Sequence, residues 1–466
     1  MRNISGHNRK TIFPHPDARK GDPKPRSAKK NGHGPFSRLV IGPGDNCPTS
    51  RYHASTMART LSNIELLRRL VAFDSTSCNS NVPIADFICD YLDRPNIEIV
   101  RNEDTAESKV NLVVRVCPDV SGFATAAAGK SHVGGPHAGE SGGLILSGHM
   151  DVVPATEPEW NTDPFELSEA DDVCIGRGTS DMKGFIALAM NLAATCAAES
   201  IAQPLVLILT YDEELGLLGA QHLADTWDEP FPLPKSAIIG EPTSLRVVRM
   251  HKGHLVMRII CAGKSAHSGY PRLGHSAVEP AARIITALSD LRGKLETVGG
   301  PNGEFFPEAP FVALNVGTVR GGSAVNIIPD NCLIELGVRL LPDMTSGEII
   351  ERIENVVHAA SSEGKEQDEQ TNIKIEVVSD SPPMVCDESS RLHRCLCDLT
   401  NQAESLGVSY ATDAGVLQRM GIECVLFGPG WIEVAHKPNE CIPKKEIVIA
   451  ERVLAEAARR LCGVTL

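Results

Sequence analysis

The sequence predicts an α/β protein: a sheet with helices on its faces, interrupted by a smaller two-layer α+β unit. Three observations carry this. Short apolar runs alternate with amphipathic stretches of helical period from Leu61 to about Met250. From there to about residue 364 the strands alternate polar and apolar side chains, as one-sided sheets do. Finally, 466 residues exceed one ordinary domain. The expected organisation is a discontinuous larger domain of residues 57–249 and 365–466, an inserted domain of residues 250–364, and a separate basic extension of residues 1–56.

The elements follow in order. Ser62-Asn63-Ile64-Glu65 ahead of Leu66, Leu67, Leu70 and Val71 reads as a capped amphipathic helix. Pro83 to Leu92 reads as a second, its proline tolerated in the first turn. Asn111 to Val116 and Gly143 to Ser147 are buried strands, joined by a small-residue, Gly-rich loop from Ala124 to Ser141. Gly184 to Ala198 is a long helix, Leu205 to Thr210 a strand and Leu215 to Ala224 a helix. In the insert, His254 to Cys261 is a strand, Ser276 to Leu291 a helix, Phe311 to Val319 and Asn331 to Leu340 strands, and Ser346 to Ala360 a helix. This is a β-α-β-β-α order. Ser361 to Gln370 reads as a hinge, after which Ile373 to Val378, Leu392 to Leu399, Cys424 to Phe427 and Glu446 to Cys462 resume the larger domain.

Composition narrows the function classes. The net charge of −14 is the wrong sign for a nucleic-acid binder. The run Phe185 to Ala198 is too short to span a bilayer, so neither nucleic acid nor membrane is an expected partner. Fourteen Cys without a CxxC pair signal neither a zinc ribbon nor a disulfide framework. Reduced thiols and a cytoplasmic location are the simpler expectation. The first 56 residues hold 11 Lys/Arg against 3 Asp/Glu, with seven Pro and six Gly. They read as a disordered tail, or as an extension upstream of a true start at Met57. They contain no apolar core of a signal peptide.

Chemistry gathers at predicted strand ends. His149 and Asp151, in Ser147-Gly148-His149-Met150-Asp151, sit two apart, so an extended backbone puts both side chains on one side. A carboxylate can then hold one imidazole nitrogen while the other binds a metal; an ordinary strand-end turn is the plainer alternative. Asp181 lies in a Gly-flanked loop, Gly176 to Gly184, ahead of the long helix, where it is either an inward-aimed ligand or a common helix cap. Asp212-Glu213-Glu214 closes one strand and opens a helix, favouring the helix dipole or dividing labour between ligand and base. Glu241 follows Ala237 to Ile239, and His436 closes Gly428 to His436. Together, His149, Asp181, Glu214, Glu241 and His436 fall at the carboxyl edge where open α/β sheets bind ligands. Two His and three carboxylates suit a pair of Zn²⁺-like ions sharing one carboxylate.

The motifs SGHMDVVP, GRGTSDMKGF, TYDEE, GEPTSLRVVRMHKGH, GKSAHSGYP and GPGWIEVAHKPNE, in this order, resemble those of the M20 family of metallopeptidases and amidohydrolases from about Leu61 onward. The resemblance implies a zinc-peptidase-like catalytic domain with a mixed sheet and an inserted lid and dimerisation domain. It implies two Zn²⁺ per subunit, with Co²⁺ as the other candidate. His149 and Glu241 would hold one ion and Glu214 and His436 the other, with Asp181 bridging. Asp151 would orient His149, and Glu213 would be the general base. His267, in Ala266-His267-Ser268, matches a lid histidine that reaches the partner's site in a homodimer. Asn326 and Arg339 are candidates for the substrate carboxylate, Arg339 by a bidentate fork, with a structural salt bridge as its alternative. The implied reaction is amide hydrolysis of a small N-acyl amino acid, with N2-acetyl-L-ornithine expected and N-succinyl-diaminopimelate or a dipeptide as alternatives. A metal-free binding protein is the non-enzyme alternative. Trp431 and Asp413 depart from the family's deacetylases, where Ser and Glu are usual.

Overall fold

Ser62 opens the first helix as its spacing predicts: the Ser62 Oγ accepts the Glu65 N–H at 3.2 Å and caps helix α1 (Asn63–Val71). The computed structural model describes residues 60–118, 142–228, 231–300, 302–342, 344–362 and 372–464. The basic extension, the whole Gly-rich loop and most of the expected hinge lie outside these. The larger unit holds α2 (Val82–Leu92), β1 (Ile97–Asp104), β2 (Lys109–Val116), β3 (Leu144–His149), α3 (Gly184–Ala198), β4 (Leu205–Thr210), α4 (Leu218–Thr226) and β5 (Ser236–Ile239). After an insertion come α7 (Arg391–Thr400), α8 (Ala414–Arg419), β10 (Glu423–Leu426) and α9 (Lys444–Cys462). The insertion itself carries β6 (Gly253–Ala262), α5 (Val278–Glu296), β7 (Ala313–Gly321), β8 (Asn331–Leu340), α6 (Ser346–Ser362) and β9 (Asn372–Ser381).

The main sheet has the order β1-β2-β4-β3-β5-β10. β1, β2 and β4 pair antiparallel, while β4, β3, β5 and β10 run parallel. β3 and β4 are buried along their whole length, as expected of strands covered on both faces. Helix α3 is apolar on nearly every side because it sits under α1 and α9. The four parallel strands therefore deliver His149, Thr210, Ile239 and Leu426 to one edge, and the residues that follow them build the site.

The second sheet is antiparallel, in the order β7-β8-β6-β9, with α5 and α6 over one face. β6 and β8 alternate buried and half-buried residues, matching a sheet covered on one side. One grouping is corrected here. Ile373 to Val378, read as resuming the larger domain, lies in β9, which pairs with β6 from Asn372↔Ala262 to Ser381↔His254. The insertion is thus β-α-β-β-α-β. The expected helix at Leu215 starts later, at Leu218, because Glu213–Leu215 forms a 3₁₀ turn and Gly216 and Leu217 take left-handed backbone angles.

Candidate metal centre

His149 ends β3, buried, and its ring spans two partners. Nε2 lies 2.9 Å from Asp181 Oδ1. Nδ1 lies 3.0 Å from the Asp151 carbonyl oxygen and 3.5 Å from its carboxylate. The backbone carbonyl is therefore the nearer acceptor for the ring proton, a refinement of the carboxylate role expected for Asp151. The Asp151 carboxylate is occupied elsewhere. It accepts the Glu213 N–H at 3.1 Å, the Glu214 N–H at 3.3 Å and the Ser77 hydroxyl at 2.8 Å. One buried acid thus ties the His149 strand end to the acidic turn on the next strand.

Asp181 sits ahead of α3, within Thr179–Lys183, and its peptide bond to Met182 is cis. It does not cap the helix. Its second oxygen, Oδ2, lies 3.3 Å from His436 Nε2, and His436 Nε2 is 2.8 Å from Glu214 Oε1. Asp181 therefore stands between the two histidines. Ligand atoms of His149, Asp181 and Glu214 all fall within 4.8 Å of one another. His436 reaches inward from a left-handed backbone (φ 61°) in the loop after β10. Glu241, at the end of β5, is buried beside the same cluster, and burial followed by the Asp181 charge lifts its carboxyl well above the usual range.

The electrostatics test whether cations fit. Burial raises Glu213 and Glu214, each with neighbouring carboxylates adding to the shift. Burial would raise Asp181 too, but its hydrogen bonds to His149 and His436 outweigh that and hold it low. Hydrogen bonds to Asp181 and Glu214 push His436 up to about 10, and those to Asp151 and Asp181 lift His149 despite its burial. Four acids and two imidazoles are thus packed where the acids demand positive charge. Divalent cations on imidazole and carboxylate donors supply that charge, so the donor set fits.

The remaining expected residues are less gathered. His267 lies on the exposed surface of the smaller unit, its Nδ1 accepting the Gly269 N–H at 3.0 Å and its ring edge-on to Tyr270. Among the described residues, no hydrogen bond or ion pair joins it to the cluster. Asn326 is exposed beside it, its carbonyl accepting the Ser268 N–H at 2.9 Å. Arg339 is half-buried opposite His254, and no ion pair joins it to a carboxylate among the described residues. Asp413 packs under the strand ends, accepting the Thr210 hydroxyl at 2.6 Å. Trp431 is held by Glu446 through its indole N–H at 2.9 Å, and its backbone N–H donates to Ser180 Oγ at 3.1 Å.

Sequence reasoning missed Glu440. Its buried carboxylate accepts the N–H groups of Gly178, Ser180 and Asp181 at 2.9–3.0 Å and an Arg177 N–H at 2.9 Å. It is the last residue of GPGWIEVAHKPNE, an acid directly ahead of a short apolar strand, and that placement was the available signal.

This edge-of-sheet cluster of imidazoles and carboxylates, with His149, Asp181 and Glu241 buried and His436 at the surface, defines a metal-dependent hydrolase, an enzyme and not a metal-free binding module. The chain belongs to peptidase family M20/M25/M40, whose family model matches residues 145–460. It is 34% identical over 400 residues to the acetylornithine deacetylase of Myxococcus xanthus, covering 85% of this chain and 97% of that protein. It is 35% identical over 323 residues to the acetylornithine deacetylase of Vibrio cholerae serotype O1, covering 69% and 82%. Among solved structures, a tripeptidase from Staphylococcus aureus superposes with TM-score 0.64 at 18% identity, covering 87% of this chain and 99% of that one. A dinuclear metal binding M20 peptidase from Bacillus subtilis superposes with TM-score 0.58 at 15% identity, covering 86% and 98%. These two likenesses bear on the fold.

Proposed function

We propose that the protein hydrolyses the amide bond of a small N-acyl amino acid, N2-acetyl-L-ornithine foremost, to the free amino acid and acetate. The observation that carries this is Asp181 standing between His149 and His436 with Glu214 alongside. The deacetylase relatives, similar over most of the chain, support the substrate class. His149 and Glu241 would hold one divalent ion, Glu214 and His436 the other, and Asp181 both; Zn²⁺ or Co²⁺ suits these donors. When bound, such ions supply Lewis-acid activation of water and of the scissile carbonyl. Glu213 takes the proton from the attacking water and hands it to the departing amine, so one carboxylate serves as base and then acid. Its backbone is held by Asp151, which leaves the side chain free for this. Arg339, which pairs with no acid among the described residues, would take the substrate carboxylate.

The inserted unit serves as lid and dimerisation domain in this reading. Its edge strand β7 is largely exposed, and Tyr270, Leu273, Val319, Val325 and Ile327 present apolar side chains to solvent nearby. A second copy covering that edge would bring His267 toward the partner's site. The described cysteines are all free thiols, which supports a reducing, cytoplasmic setting. No described helix is long and apolar enough to cross a membrane.

The test is a panel of N-acetylated and N-succinylated amino acids and dipeptides, assayed with added Zn²⁺ or Co²⁺. N-acetylornithine should give the highest kcat/KM. A preference for succinylated substrates or dipeptides moves the substrate within the family, and no turnover of any N-acyl compound overturns the reading.

A further inference from the structure

β2 has no assigned part in the chemistry, yet one face of it holds both ends of the loop that carries Glu213 and Glu214. Lys109 and Asn111, two apart on a strand, point to the same side, and both are buried. The Lys109 ammonium donates to three acceptors: Asp212 Oδ1 at 2.6 Å, the Asn79 carbonyl at 2.6 Å and the Ser77 carbonyl at 2.5 Å. Its three protons are thereby all used. Asn111 takes the other end. Its Oδ1 accepts the Tyr211 N–H at 3.2 Å and its Nδ2 donates to the Gly219 carbonyl at 2.9 Å. The loop closes on itself where the Gly219 N–H donates to the Tyr211 carbonyl at 2.9 Å. Only a glycine fits there, since a Cβ on Gly219 would stand 2.3 Å from the Tyr211 carbonyl oxygen and 2.7 Å from Asn111 Oδ1.

The turn inside this bracket is not a relaxed one. Asp212 (φ 47°) and Leu217 (φ 64°) both adopt the left-handed region that non-glycine residues avoid. A buried lysine–aspartate pair seldom adds net stability, so stability alone does not account for placing one under this turn. The pair also joins the second anchor of the turn: Ser77, whose carbonyl binds Lys109, donates its hydroxyl to Asp151, and Asp151 holds the Glu213 and Glu214 N–H groups.

We infer that Lys109 and Asn111 are positioning residues, clamping Asp212 and the loop ends so that the Glu213 carboxylate stands where the reaction needs it. This rests on Glu213 being the base. Neither residue touches substrate, so their loss acts on the geometry of the turn. A displacement of about 1 Å in a reacting group can cost on the order of 10²-fold in rate.

The experiment compares Lys109→Met, Asn111→Ala, the double variant Lys109→Met/Asp212→Asn and Glu213→Gln in the full-length, metal-loaded protein. It reads kcat, KM, metal content per chain and melting temperature. Lys109→Met should lower kcat about 10- to 100-fold with KM nearly unchanged and both ions retained. The double variant leaves no unpaired buried carboxylate, so it should regain melting temperature while kcat stays low. That split separates positioning from structural support. If Lys109→Met does not fold, the double variant and Asn111→Ala carry the same expectation. Undiminished kcat in these variants beside an inactive Glu213→Gln overturns the clamp and leaves the base standing. Loss of kcat in step with metal content, or recovery of kcat with melting temperature in the double variant, overturns it too. Substantial activity in Glu213→Gln overturns the base assignment instead.

Discussion

Asp181 and Glu440, 259 positions apart, are joined by a hydrogen bond of 3.0 Å from the Asp181 N–H to Glu440 Oε1. The same carboxylate collects the N–H groups of Gly178 and Ser180 and the Arg177 guanidinium. A residue near the C-terminus therefore shapes the loop that presents Asp181, the carboxylate proposed to serve both ions. Replacing Glu440 by Leu strands three backbone donors and a buried arginine, for a loss of roughly 3–5 kcal/mol. Glu440→Gln keeps the shape but not the charge and should cost about 1–3 kcal/mol. Urea unfolding gives both losses, and metal analysis of Glu440→Gln should show weakened retention under a chelator.

The two acids of the turn should separate cleanly. Glu213→Gln is expected to abolish turnover with metal content intact, while Glu214→Gln loses metal, since Glu214 and not Glu213 pairs with His436. Losing a positioned acid–base group costs ~10²–10⁴-fold. Metal loss in Glu213→Gln with retention in Glu214→Gln would invert the two roles.

Asp181→Ala should be the most damaging ligand substitution for metal content. Its two oxygens face different histidines, so its removal affects both ions at once. Two ions per chain in Asp181→Ala, measured by elemental analysis after dialysis, would end the bridging assignment.

Acid should weaken the fold partly through His251. It is buried on the short strand leading into β6, Nδ1 donating to the Lys252 carbonyl at 2.9 Å and Nε2 without a partner. Burial pushes it down to about 4 from 6.5. The unfolded chain therefore takes up its proton first as pH falls. Stability from this group is complete above about pH 6.5 and is lost between there and about pH 4, amounting to roughly 3 kcal/mol. Unfolding of wild type and His251→Gln at pH 7.5 and 4.5 should show a smaller acid loss in the variant. Equal losses would remove His251 as a source.

The lid assignment is tested by mixing. If His267 completes the site of a partner, inactive His267→Ala and inactive Glu213→Gln chains should regain activity on exchange. The His267→Ala chain keeps its Glu213 and receives His267 from the other chain, making one whole site per mixed dimer. Mass analysis verifies exchange, and exchange without activity would confine His267 to its own chain or to no chemical role.

Much of this protein is legible locally. The α/β class, the Ser62 cap, the buried strands and the change of rhythm near Met250 follow from side-chain period, which depends only on neighbours. The candidacy of His149, Asp181, Glu214 and His436 is also a local fact, because three of them close or follow an apolar strand and Asp181 lies in a Gly-flanked loop ahead of the long helix. What the tertiary structure alone decided are relationships between distant segments. β9 joined the smaller sheet by pairing with β6, more than a hundred residues away in sequence, and its own alternation says nothing about which edge it completes. Glu440 and Lys109 look like surface charges in sequence. Burial against specific N–H groups, carbonyls and Asp212 makes them structural, because an ion removed from water must find all its partners within the fold, and those partners lie in other segments.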